Sequence, residues 1–184
     1  QEGGGHLGRE DIGTMVLTPR VVDSVSIPVL ASGGIGDGRG LLAALALGAE
    51  GIEMGTRFIA TQECVYANEK YKQAILQAKE TDTIIIKRSL GAPGRVLKSE
   101  FTLDIIEREK AGATYEDLQD IISGKANCRY IYDGNEENGF GWAGQVIGLI
   151  NDIPTVQELF DKMILTVEKG LNRIDNIIEE RTHI

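Results

Sequence analysis

An α/β fold is predicted by two short apolar runs, residues 26–31 and 51–54, that flank an alanine- and leucine-rich helix over residues 39–47. Each run closes on a glycine turn, the usual punctuation between packed elements. The 184-residue chain is 42% hydrophobic and 26% charged, enough apolar mass to bury a core. Right-handed crossover makes the two runs parallel strands, which places Gly33-Gly34 and Gly55-Thr56 at one edge of the sheet. Functional loops of α/β folds gather at that carboxyl edge.

Taken in order, Thr18 and Pro19 read as the N-cap and first residue of a short helix through Val21, Val22 and Val25. Residues 26–31 follow as a buried strand, with Pro28 near its start, where a missing N–H is tolerated. The turn 32–38 leads into the helix over 39–47, apolar on both sides and so packed against the sheet. Residues 51–54 are the second strand, residues 62–78 a helix, and residues 83–87 a strand of β-branched density. Thr114 with Asp117 and Thr155 with Glu158 form capping boxes at two helix starts. Residues 142–150 read as an apolar helix. Beyond them Val156, Leu159, Phe160, Met163, Val167, Leu171, Ile174 and Ile178 trace one helical face that should cover a barrel wall. Three parts are expected: 1–61 around the binding site, 62–138 as a small appended α+β subdomain, and 139–184 as the return to the first part with closing helices.

A net charge of −9 disfavours nucleic acid and anionic membrane, which reward clustered Lys and Arg. No stretch approaches the roughly 18–20 apolar residues of a membrane span, and no basic-then-apolar leader opens the chain. A cytoplasmic protein with a small-molecule partner is expected. Cys64 and Cys128 lie far apart in no metal-ligand spacing, so neither a disulfide framework nor a metal site is expected.

Phosphate binding needs several N–H donors converging without side chains in the way, and Gly33-Gly34 directly after a strand can supply them. Gly55-Thr56 offers a second set one strand–helix unit later, the arrangement in which (β/α)₈ barrels commonly build a phosphate site. Gly3-Gly4-Gly5 permits close approach of backbone to a flat ligand. His6 follows it, and the other histidine of the chain, His183, stands in a tail expected to fray. An imidazole titrates near neutral pH, so His6 suits a general base or hydrogen-bond donor, and equally a solvated loop histidine.

The blocks Glu2-Gly3-Gly4-Gly5-His6-Leu7-Gly8, residues 26–35 with Asp37-Gly38-Arg39-Gly40, Leu47-Gly48-Ala49-Glu50, Met54-Gly55-Thr56-Arg57-Phe58 and Trp142-Ala143-Gly144-Gln145 resemble the nitronate monooxygenase (2-nitropropane dioxygenase) family. Flavin-dependent enoyl-acyl-carrier-protein reductases share the same blocks. The resemblance covers nearly the whole chain, from the family's sixth barrel strand onward. It implies the C-terminal part of a (β/α)₈ barrel holding FMN, its phosphate on Gly33-Gly34 and Gly55-Thr56, with Gly4-Gly5 beside the isoalloxazine. Met54, just before the second turn, joins the implied cofactor contacts. His6 matches the catalytic histidine that removes the α-proton of a nitroalkane near flavin N5, with oxygen completing turnover. In the reductases NAD(P)H is the donor and an enoyl thioester the acceptor. Gln145 is implied to face flavin or substrate, while Trp142 faces the mouth or packs a helix.

Two positions depart from the family pattern. Gly3 stands where a small non-glycine residue is common, and Glu53 where glutamine is. A carboxylate near a phosphate is repelled unless turned away or paired, so contact from Glu53 is not expected. The first five to six strands are expected to be missing, since a closed barrel takes about eight strands and about 250 residues. Three readings stay open: nitronate oxidation, enoyl reduction, and a non-catalytic phosphate-binding half-barrel. A homodimer is compatible with each.

Overall fold

The computed structural model describes residues 2–182. In chain order the elements are β1 (Gly5–His6), α1 (Thr14–Val22), β2 (Leu30–Ser32), α2 (Gly38–Ala46), β3 (Gly51–Glu53), α3 (Thr56–Ile59), α4 (Glu69–Gln77), β4 (Thr83–Ile86), β5 (Gly94–Leu97), α5 (Glu100–Lys110), α6 (Tyr115–Ile122), α7 (Gly124–Ile131), a 3₁₀ turn (Gln145–Leu149) and α8 (Val156–Thr182). Among the described residues β2 and β3 pair in parallel, Ala31 opposite Ile52, and β1, β5 and β4 form an antiparallel sheet in that order. The mixed α/β class and the parallel strand–helix–strand unit are therefore present as expected.

Sequence dictates the unit locally. Asp37 caps α2 by accepting from the Arg39 and Gly40 N–H groups at 2.9 and 3.4 Å. Ala31, Ile35, Ala44, Ala49 and Met54 bury against Leu159 and Met163 of α8. Gly38 sits against the Met163 backbone and Gly170 against Leu42, so two bare positions let α2 and α8 approach closely. A second apolar cluster joins α4 to the 3₁₀ turn through Tyr71, Ile75, Val146 and Ile147. A third packs α5, α6 and α7 on β4 and β5 through Ile86, Val96, Ile105, Leu118 and Phe140. Both predicted capping boxes form, at Thr114 with Asp117 and at Thr155 with Glu158.

Several boundaries differ from the sequence expectation. The first helix starts at Thr14, not Thr18, and Pro19 lies inside it. Its amino end is capped from a distance: the Glu2 carboxylate accepts from the Thr14 N–H at 3.0 Å and the Thr14 hydroxyl at 2.8 Å. Burial opposes ionisation of Glu2, but these bonds outweigh it and hold its carboxyl at about 2. The strand expected over 26–31 narrows to Leu30–Ser32, and Leu30 is 62% exposed, because only the face toward α2 and α8 is covered among the described residues. The helix expected over 62–78 spans only Glu69–Gln77, with Asn68 capping it through the Lys70 N–H. Trp142 is not helical; it bridges Val96 in antiparallel fashion, and the segment coils only from Gln145. The face of α8 packs through Leu159 and Met163, while Phe160, Leu171, Ile174 and Ile178 are exposed. His183 lies outside the described residues. Among the described residues no helix is long and apolar enough to cross a membrane.

Candidate functional site

The carboxyl ends of β2 and β3 meet residues 3–6 and 142–146 around a cleft of about 210 Å³. Gly3, Gly4, Gly5 and His6 form one wall. Ser32, Gly33, Gly34 and Ile35 form the second, and Glu53, Met54, Gly55, Thr56 and Ile59 the third. Trp142, Gly144 and Val146 complete it. Thus His6, Gly4, Gly5, Gly33, Gly34, Met54, Gly55 and Thr56, far apart in sequence, are brought together.

Gln145 is the exception. It is exposed and does not line the cleft, because its N–H is committed to the Glu2 carbonyl at 2.8 Å where the 3₁₀ turn begins. Its neighbours Gly144 and Val146 line the cleft instead.

The two glycine turns present donors. Among the described residues the N–H groups of Gly33, Gly34 and Gly55 meet no acceptor. The amino end of α2 is occupied by Asp37, so the turns and not that helix end supply the free N–H groups. Gly34 is left-handed at φ +74°, and a Cβ there would stand 3.2 Å from the Glu2 Cβ. On the opposite wall a Cβ on Gly4 would lie 2.7 Å from both the Ala143 carbonyl carbon and the Gly144 nitrogen. The walls therefore touch backbone to backbone beside the cleft, which no local pattern around Gly4 announces.

His6 is not in a free loop. Main-chain pairing of Gly5 with Arg95 and His6 with Gly94 fixes its backbone, and the Leu7 N–H donates to the Pro93 carbonyl at 2.9 Å. Its exposed side chain tilts against the Trp142 indole, ring centroids 5.2 Å apart. Glu53 does reach the cleft, contrary to expectation, and accepts a hydrogen bond from the Ser32 hydroxyl across the β2–β3 pair. Among the described residues no group of three or more His, Cys, Asp or Glu is placed to hold a metal ion.

Two struts went unread in the sequence. Buried Arg57 donates to the carbonyls of Ala60 and Asp152 at 2.5 and 2.7 Å and to the Asp152 carboxylate at 3.2 Å. It anchors the start of α3 to the segment before α8. Thr56, 7% exposed, accepts the Gly144 N–H on its hydroxyl at 3.0 Å, pinning the third wall to the fourth. Thr56→Ala leaves that buried N–H without a partner, an expected cost of about 1–3 kcal/mol. Urea unfolding of Thr56→Ala beside Thr56→Ser checks it: the serine variant, which keeps the acceptor, is expected to retain most of the stability.

A glycine-walled cleft at the carboxyl ends of parallel strands, with free N–H donors and one imidazole, lies where α/β folds commonly hold small molecules. The family model described as nitronate monooxygenase matches residues 1–166, and the chain belongs to the nitronate monooxygenase family. It is 35% identical over 181 residues to a probable nitronate monooxygenase of Staphylococcus saprophyticus, covering 94% of this chain and 50% of that protein. The chain spans about half the length of the curated relatives it matches. Among solved structures it resembles FabK from Thermotoga maritima, with a TM-score of 0.89 and 36% identity over 96% of this chain and 55% of that one. It also resembles nitroalkane oxidase from Streptomyces ansochromogenes, with a TM-score of 0.75 and 27% identity over 94% of this chain and 51% of that one. The monooxygenase and oxidase among these relatives are oxidoreductases by name.

Proposed function

We propose that β2 and β3 are consecutive strands of a (β/α)₈ barrel, that their turns bind FMN, and that the protein oxidises alkyl nitronates with His6 as general base. The observation that carries this reading is the convergence of two glycine turns with unclaimed N–H groups and a single imidazole on one cleft. The residues fit the cofactor. A Cβ at Gly34 would crowd the cradle's wall, three backbone donors await an anion, and the glycine wall at residues 3–5 leaves room for a flat ring.

Gly33, Gly34, Gly55 and Thr56 would hold the phosphate, Met54 and Ile59 would cover its neighbourhood, and Gly4-Gly5 would lie beside the ring. Bound there, FMN supplies the electron acceptor. His6 takes the α-proton of a neutral nitroalkane, leaving the nitronate anion beside the glycine wall, and dioxygen is the co-substrate. The Ser32 hydroxyl partly compensates Glu53, which reduces its repulsion of an anion in the same cleft.

Ligand released by heating the purified protein is expected to run as FMN on chromatography, since the chain offers two mononucleotide-type phosphate turns, and neither of its Gly-x-Gly-x-x-Gly runs, at residues 3–8 and 139–144, leads from a strand directly into an α-helix as a dinucleotide turn does. Recovery of FAD, or of no flavin, overturns the assignment. A second reading, NAD(P)H-driven reduction of an enoyl thioester, is favoured by the higher TM-score to FabK than to nitroalkane oxidase. Turnover of a preformed alkyl nitronate in air, set beside NAD(P)H consumption with an enoyl thioester, separates the two.

A further inference from the structure

Trp142 is the ring against which the His6 side chain packs, and it is itself restrained from several sides. The indole stands edge-on to Phe140 at 5.0 Å and 82°, packs on the bare face of Gly94, and receives the Lys87 ammonium 5.0 Å from its ring centroid. Its backbone is fixed by the bridge to Val96 and by the Tyr71 hydroxyl, which donates to the Trp142 carbonyl.

Lys87 carries the anomaly. Its side chain is buried at 8% exposure, and its backbone is left-handed at φ +62°, the only non-glycine residue so placed among the described residues. A lysine gains nothing from that conformation by itself, and such outliers persist only where the surroundings over-determine them. Here they do: the Lys87 N–H donates to the Glu109 carboxylate at 2.8 Å, and its carbonyl accepts from Ala92 at 3.2 Å. The turn after β4 thus delivers a cation to the indole. Burial disfavours the charged form of Lys87 while Glu109 supports it. A desolvated ammonium over an indole is the strong form of the cation–π interaction.

We propose that Lys87, acting through Trp142, is a positioning residue for His6: the ammonium holds the indole, and the indole holds the imidazole toward the cleft. His6 makes no side-chain hydrogen bond among the described residues, so its orientation rests on this stack. The use of that orientation in turnover rests on the function proposed above; the stack itself does not.

The test is Lys87→Met, which keeps the aliphatic stem and removes the charge, beside Lys87→Arg, which keeps the charge. The chain's two histidines, His6 and His183, are labelled with ¹³C and distinguished by a His6→Gln reference. In the wild-type protein the His6 ring protons are expected to show a ring-current shift from Trp142. Lys87→Met moves them toward free-histidine values, Lys87→Arg leaves them in place, and Trp142→Leu reproduces the Lys87→Met displacement from the other side of the contact. With neutral nitroalkane, Lys87→Met is expected to lower kcat about ten- to a hundredfold at nearly constant KM. An unchanged His6 signal in Lys87→Met, or an equal displacement in Lys87→Arg, overturns the proposal. If Lys87→Met does not fold, Lys87→Gln, which also removes the charge, decides by the same signal: an unchanged His6 resonance overturns the proposal. Absence of nitroalkane turnover in the wild type would count against the proposed function alone, since the resonance measurement needs neither flavin nor substrate.

Discussion

His6→Ala is expected to keep FMN and thermal stability while losing about 10²- to 10⁴-fold in rate with a neutral nitroalkane, the usual worth of a general base. The fold should survive because the β1–β5 pairing at His6 is made by the main chain, which alanine preserves, and the imidazole is exposed. With the preformed nitronate the loss should be much smaller, since the proton is already gone. Rates on both substrate forms, with flavin absorbance as the control, check the expectation. Equal losses on the two forms would remove His6 from the role of base.

Gly34→Val is expected to abolish flavin retention. At φ +74° a β-branched residue is strained by about 1–3 kcal/mol, and its Cβ would press on Glu2, whose backbone also holds the wall at Gln145. Two walls of the cleft move together. The control is Gly112→Val, left-handed at φ +86° with open space around it and remote from the cleft. It carries comparable backbone strain without touching the cradle, so it should lower stability and still bind FMN. Equal flavin affinity for Gly34→Val and the wild-type protein in equilibrium titration would show that the turn does not hold the phosphate.

Much of this site is legible in sequence because it is built from backbone. A glycine pair after a strand is visible as letters, and its chemistry, exposed N–H groups, needs no knowledge of distant partners. The strand–helix–strand unit at 30–53 follows for the same reason: Asp37, the alanine-rich helix and the flanking apolar runs act locally. What sequence concealed is whatever depends on a partner far along the chain. The cap of α1 comes from Glu2, twelve residues upstream of Thr14, so the local Thr18-Pro19 signal prevailed on paper and lost in the fold. Trp142 reads as helical among its apolar neighbours, yet β5 offers it a ladder position. The resemblance of the Trp142–Gln145 block turns Gln145 toward the flavin or substrate, yet the residues on either side of it, Gly144 and Val146, line the cleft. Glu53 was set aside on grounds of charge, and the hydroxyl that compensates it, Ser32, lies on the adjacent strand.

The bond from the Gln145 N–H to the Glu2 carbonyl, and the contact of Gly4 with Ala143 and Gly144, also set a timetable. They join the two ends of a loop of about 140 residues, and contacts of such sequence separation are made late, after the entropy of closing the loop has been met. On a ribosome the fourth wall of the cleft emerges only when the antiparallel sheet that seats Trp142 has been synthesised. The local β2–α2–β3 unit can therefore form before the cleft does, and a ligand that needs all four walls would meet them only after residues 142–146 have docked.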